Sequence, residues 1–195
     1  GCGSLMAPES NTYTIDVGGI ERTYILRVPD DYDANRAYRL ILAFHPLGGT
    51  AQGITRGDYY GLWSLANGTT IFAAPQGIDN AWRDSGRTRT AGGQDVSFAS
   101  ALVDELTSKL CVDESRIFAE GFSMGGSMSY AVACAMPDVV RGVVAHSGGP
   151  MSGCVQHNKP AAYFMTHGTQ DNVCTYPDYG VPQINDFAMV NGCMS

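Results

Sequence analysis

The sequence predicts an α/β fold: a mostly parallel central sheet with helices on both faces, entered through an antiparallel hairpin. Three observations predict it. Two β-rich stretches, Thr12–Val17 and Arg22–Val28, flank Gly18-Gly19, a two-residue hairpin signal. Short apolar runs then alternate with stretches of helical spacing, the order that βαβ units produce. One of those runs leads straight into a glycine-flanked serine and then a helix, Gly121-Phe122-Ser123-Met124-Gly125.

Each element has its own signal. Arg39–Phe44 (RLILAF) is continuously apolar after its first residue, as a strand covered on both faces must be. Tyr59–Ala66 predicts a helix and Thr70–Ala74 a strand. Asp95–Leu110 carries Phe98, Leu102, Leu106 and Leu110 at helical spacing, with Asp95 as its expected N-cap. Arg116–Glu120 is a buried strand, and the helix behind Ser123 runs through Met136 and stops before Pro137. Arg141–Ala145 and Ala161–Thr166 are two further strands, and Val181–Val190 is a helix. Neither a final strand nor a final helix follows, so the end at Asn191-Gly192-Cys193-Met194-Ser195 reads as an incomplete fold.

The 195 residues suit one domain, 1–195, with a sizeable core: 44% are hydrophobic and 16% charged. A formal charge of −7 turns the chain away from nucleic acid and anionic membranes. No apolar run approaches the ~20 residues of a membrane span. Cys2, Cys111, Cys134, Cys154, Cys174 and Cys193 are spread singly, a pattern that suits neither a zinc site nor a dithiol redox site. Their even number, the scarcity of lysine and the sequon Asn67-Gly68-Thr69 point to a secreted, disulfide-bonded protein glycosylated at Asn67. Gly1-Cys2-Gly3 reads as a mature N-terminus.

Strand, G-x-S-x-G and helix together make a nucleophile elbow. The serine must occupy a strained turn so that its oxygen leaves the top of the sheet. Side chains at Gly121 or Gly125 would collide with the neighbouring strand and helix. Ser123 is therefore the candidate nucleophile, and the N–H of Met124, at the positive end of the helix, a candidate oxyanion donor. In an open α/β sheet the ligand sits beyond the carboxyl ends of the strands, which makes the loops after strands informative. His45-Pro46-Leu47-Gly48-Gly49-Thr50 follows one strand and supplies the second oxyanion amide, from Leu47 or alternatively Gly48. His45 orders that loop. Asp171, in His167-Gly168-Thr169-Gln170-Asp171-Asn172, is the candidate acid, with Asp178 and Asp186 weaker rivals. An Asx-turn is its structural alternative. Trp82, in the Pro75–Arg89 loop, is either an exposed platform for an aromatic or sugar ring or a residue packing the loop.

The base has no evident source. His45 and His167 hold other roles, His146 ends a strand, His157 lies in a Cys/Gly/Pro-rich loop, and none follows Asp171. A Ser…Asp…His order cannot be completed, so the catalytic histidine is expected outside these residues, with His146 or His157 as unusual alternatives.

At His45-Pro46-Leu47-Gly48-Gly49, Ala74-Pro75-Gln76-Gly77 with Trp82, Gly92-Gly93-Gln94-Asp95-Val96, Gly121–Gly126, Ser147-Gly148-Gly149 and His167–Asp171, the chain resembles the secreted feruloyl esterases of fungal type. They belong with the wider carbohydrate-esterase and polyhydroxybutyrate-depolymerase-like group. The resemblance implies an α/β-hydrolase fold and a Ser-Asp-His triad hydrolysing ferulate and related hydroxycinnamate esters of cell-wall xylan. It needs no cofactor and no metal, and a monomer is expected. Ser123 and Asp171 match the family's nucleophile and acid, and Leu47 and Met124 its oxyanion positions. The family's histidine lies in a Gly-Gly-His-like segment that has no counterpart here. Acetylated xylan and polyhydroxyalkanoate are alternative substrates, and a non-catalytic hydrolase-fold binding module is the alternative outside enzymes. Cys154 and Cys174 both lie in loops after late strands, so a bond between them is expected to clamp the loop of Asp171.

Overall fold

The computed structural model describes residues 1–4, 6–82, 93–150 and 159–193. Cys154, His157, Gly92, Met194, Ser195 and the 83–89 part of the Trp82 loop lie outside the described residues. The strands are β1 (Asn11–Val17), β2 (Ile20–Arg27), β3 (Tyr38–Phe44), β4 (Thr70–Pro75), β5 (Val112–Phe122), β6 (Gly142–His146) and β7 (Ala162–Thr166). They form one seven-stranded sheet in the order β1-β2-β4-β3-β5-β6-β7. The β1/β2 and β2/β4 pairs are antiparallel, and every pair from β4 to β7 is parallel. The hairpin turns on Gly18 (φ 63°) and Gly19 (φ 85°), the two positive-φ positions that a tight turn between twisted strands requires.

The helices are α1 (Ala51–Arg56), α2 (Leu62–Ala66), α3 (Gln94–Lys109), α4 (Met124–Ala135) and α5 (Val181–Val190). Alternation along β3 divides the core in two. Leu40, Leu42 and Phe44 join Phe98, Leu102 and Leu106 of α3 and Met128 and Val132 of α4 on one face. Ile41 and Ala43 face the other way, with Ile54 of α1, Tyr59, and Phe72 of β4. On that second face, beyond α2, an apolar groove crosses β5–β7 between Ile41, Leu62, Phe118, Val144 and Phe164, the last 60% exposed. Glu120 lies in this groove with both carboxyl oxygens buried and unpartnered, and burial pushes its pKa up to about 8.

Three expectations need correction. Asp95 is no cap: the N-cap of α3 is Gly93, and Asp95 is buried 2.6 Å from Arg22 Nη2, joining α3 to β2. The Tyr59–Ala66 helix begins only at Leu62. Before it, Asp58, Tyr59, Tyr60 and Gly61 turn left-handed, with φ of 57°, 52°, 56° and 87°, and this puts the Tyr59 ring in the core. The Cys154–Cys174 bond is also overturned. Cys174 is a free, buried thiol, its pKa raised by burial and by Asp171. Cys2 is bonded to Cys111, and Cys134 is also disulfide-bonded.

Candidate active site

β5 passes into α4 through a single residue, Ser123, which carries the whole reversal at φ 55°, ψ −121°. A side chain with φ in that range is strained, and only dense surroundings keep it there. Those surroundings are backbone. A Cβ on Gly121 would lie 2.3 Å from the Gly125 carbonyl, and one on Gly125 only 2.1 Å from the Phe44 carbonyl oxygen. A Cβ on Gly148 would lie 2.7 Å from the carbonyl carbon of Gly126. The Ser123 N–H donates to the His146 carbonyl (2.8 Å), tying the elbow to β6. The first N–H groups of α4 have no intrahelical acceptor and surround the serine.

Hydrogen bonds sort the amides of the loop after β3. The Gly48 N–H donates to the Asn80 carbonyl (2.8 Å) and the Gly49 N–H to the Pro46 carbonyl (2.9 Å). Both are spent, which leaves without a partner among the described residues the amide of Leu47, the residue between the proline and the left-handed Gly48 (φ 74°). His45 braces the loop from inside. Its Nδ1–H donates to the Pro46 carbonyl (2.8 Å), and its Nε2 accepts from the Gly77 N–H (2.9 Å). Only a neutral imidazole can do both, and burial lowers its pKa in the same direction. Gln76 adds a second brace: its Oε1 accepts the Ala51 N–H (2.8 Å) and its Nε2 donates to Asn80 Oδ1 (3.0 Å).

Trp82 belongs to this brace, which corrects its reading as an exposed platform. It is 1% exposed, its indole N–H donates to the His45 carbonyl (2.7 Å), and its ring meets Phe44 edge-on at 5.1 Å. A tryptophan in a loop is drawn inward when its N–H finds a buried acceptor.

Asp171 stands in the loop after β7. Its Oδ1 accepts the N–H groups of Val173 (2.9 Å) and Cys174 (3.0 Å), so the Asx-turn is real and also holds the carboxylate. Those two bonds keep its pKa below the usual carboxylate range, with His167 and the Ser147 hydroxyl adding to the effect. The parallel register aligns Phe122, His146 and Thr166 across β5, β6 and β7. Ser123 and the Asp171 loop thus start two strand spacings apart, about 10 Å, a gap that an imidazole can bridge. Ser147 lies between them at φ 45°, its N–H on the Thr166 carbonyl (2.8 Å). Sequence reasoning placed it in the resembling Ser147-Gly148-Gly149 stretch but gave it no role, although Ser-Gly-Gly directly after a strand beside the elbow was the available signal. The rivals are placed elsewhere: Asp186 accepts from Tyr130 on α4 (3.0 Å), and Asp178 accepts from Thr175.

None of the three described histidines links Asp171 to Ser123. His45 is saturated. His146 Nδ1 pairs with Thr166 Oγ1 (2.7 Å). His167 Nε2–H donates to the Cys174 carbonyl (2.6 Å), 3.8 Å from Asp171 Oδ2, and its Nδ1 is buried on the side of Gly180. Among the described residues no cluster of three or more His, Cys, Asp or Glu side chains could hold a metal ion, and no helix is long and apolar enough to cross a membrane.

The sheet order and the strained serine between strand and helix are those of the α/β-hydrolase class, and the relatives make the chain a carboxylic ester hydrolase. Residues 83–177 match the phospholipase/carboxylesterase family. The chain belongs to the feruloyl esterases. It is 41% identical over 197 residues to a probable feruloyl esterase C of Aspergillus niger, covering 99% of this chain and 69% of that protein. It is 40% identical over 198 residues to feruloyl esterase C of Emericella nidulans, with 99% and 69% covered. Among solved structures, a thermostable esterase superposes with a TM-score of 0.73 at 18% identity, covering 96% of this chain and 53% of that one. A ferulic acid esterase of Anaeromyces mucronatus in complex with ferulic acid gives 0.68 at 16% identity, covering 97% and 82%.

Proposed function

We propose that this protein is a secreted serine esterase that cleaves ferulate and related hydroxycinnamate esters of plant cell-wall xylan. The observation that carries the reading is the strained Ser123 between β5 and α4, beside a loop whose Gly48 and Gly49 amides are spent and whose Leu47 amide has no partner among the described residues. Ser123 Oγ attacks the ester carbonyl while a histidine takes its proton. The N–H groups of Leu47 and Met124 hold the oxyanion. The same histidine protonates the leaving sugar alcohol, and water then cleaves the acyl-enzyme by the reverse sequence. Asp171, kept ionised, orients the histidine and stabilises its imidazolium form.

Both ring nitrogens of His45 are taken, His146 Nδ1 is engaged by Thr166 and His167 Nε2 by the Cys174 carbonyl, which supports a base that is none of the three. The names of the relatives support the acyl group. So do Leu47, Phe122 and Val173, exposed apolar side chains at the carboxyl edge of the sheet that suit an aromatic ring. Asn67 is exposed at the C-terminal end of α2, where a glycan can be carried. The single domain is expected to act as a monomer.

A fluorophosphonate tests the reading. The label is expected on Ser123, and Ser123→Ala is expected to lose roughly 10⁶-fold in kcat. An enzyme that remains active as S123A disproves the mechanism. Comparing methyl ferulate, acetylated xylan and a polyhydroxyalkanoate tests the substrate, and a preference for either polymer ester over the ferulate overturns that part.

A further inference from the structure

Four successive residues, Asp58–Gly61, hold positive φ, and three of them are not glycine. Left-handed backbone costs a non-glycine residue roughly 1–2 kcal/mol, and strain of this kind persists only where the surroundings impose it. Burial of the Tyr59 ring against Phe72 (4.8 Å) accounts for part of what holds the turn. It does not account for Tyr60. That phenol reaches the carboxyl ends of β3 and β5, donates its O–H to the Phe44 carbonyl (2.8 Å) and accepts the Phe122 N–H (3.2 Å).

The position of these two groups gives the contact its meaning. Phe44 pairs with Gly121 as the last rung between β3 and β5. Beyond Phe44 comes the oxyanion loop, beginning at His45. Beyond Phe122 comes Ser123. The hydroxyl therefore stands between the strands where they part, with one hand on each half of the catalytic machinery. The Phe44 carbonyl is also the atom that a Cβ on Gly125 would strike, so its position sets how closely α4 can approach. Burial, with Glu120 nearby, keeps the Tyr60 pKa well above the ordinary tyrosine value, so the phenol stays protonated and keeps donating.

We propose that Tyr60 is a positioning residue for ester hydrolysis: its hydroxyl, delivered by the strained Asp58–Gly61 turn, fixes the separation between the nucleophile elbow and the oxyanion loop. The inference rests on Ser123 and Leu47 acting as proposed above. Tyr60 touches no reacting atom and works through the two peptides that lead to them.

Adjacent tyrosines supply the test. Tyr60→Phe removes the bridging hydroxyl and keeps the ring. Tyr59→Phe makes the same change one residue earlier, where the hydroxyl is buried and unpartnered. With the full enzyme and p-nitrophenyl acetate, Y60F is expected to lower kcat at least tenfold with KM within about twofold of wild type, while Y59F leaves both unchanged. Wild-type kcat in Y60F, or an equal loss in both variants, overturns the proposal. A change confined to KM or to the melting temperature overturns it too. If Y60F does not fold, Gly61→Ala strains the same turn without a packing clash, because no atom lies within 4 Å of the added Cβ. A folded G61A with wild-type kcat then overturns it. Ser123→Ala run alongside separates the readings: activity in S123A sinks the serine mechanism, whereas a wild-type Y60F with a dead S123A sinks only the role of Tyr60.

Discussion

The two halves of the candidate site are built by different physics. Around Ser123, backbone touches backbone: Gly121, Gly125 and Gly148 each allow an approach in which a Cβ would lie under 3 Å from a neighbouring main-chain atom. Around Asp171 the loop is open. A Cβ on Gly168 would meet its nearest atom at 3.7 Å, ordinary contact, and the carboxylate is held by the two amides of Val173 and Cys174. Ser123 is thus positioned by close packing, which admits no adjustment. Asp171 is positioned by hydrogen bonds, which another acceptor can reproduce. A hydrolase tolerates this asymmetry because the elbow must store strain, whereas the acid has only to present a charge.

Substitutions can break or sharpen that contrast. Gly125→Ala has the largest expected effect. Its Cβ cannot coexist with the Phe44 carbonyl, so soluble, labelled enzyme is expected to be lost, and a G125A that reacts normally with fluorophosphonate would show the elbow to be adjustable. Asp171→Asn comes next, with kcat down roughly 10⁴-fold. Its melting temperature should hardly change, because the amide oxygen can still accept from Val173 and Cys174. A large fall in stability would mean that the acid loop is as tightly packed as the elbow.

Trp82→Phe should cost roughly 1–2 kcal/mol in denaturant unfolding, the value of a buried hydrogen bond to the His45 carbonyl. Glu120 tests the groove beneath the site. Its folded pKa of about 8 exceeds the ordinary carboxylate value, so the unfolded chain releases this proton first and stability falls as pH rises from about 4.5 to 8. Glu120→Gln should remove that slope, leaving thermal stability at pH 8 above wild type and at pH 4 nearly equal to it. Gly168→Ala has the smallest expected effect, within about 0.5 kcal/mol and twofold in kcat.

The elbow was legible in the sequence because its requirements are local. A strand, a serine and a helix leave no room for side chains at positions 121 and 125, and glycine records that need directly. Asp171 was legible through its place after a late strand. The β3 run and the hairpin glycines were equally plain, since burial on two faces and positive φ each select residue types.

What the sequence alone determined, then, was the order of the elements, the strained elbow at Ser123 and the family, because each is encoded over a few neighbouring residues. The tertiary structure decided everything that depends on a distant partner. Asn80 takes the Gly48 amide and leaves that of Leu47, 33 residues before it. His45 draws Trp82 inward, and Arg22 turns Asp95 from a cap into a buried ion pair. The left-handed turn at Asp58–Gly61 follows from what Tyr59 and Tyr60 reach, which their own neighbours do not reveal. Local sterics are written in residue types. Hydrogen-bond partners across the fold are chosen only when the chain closes on itself.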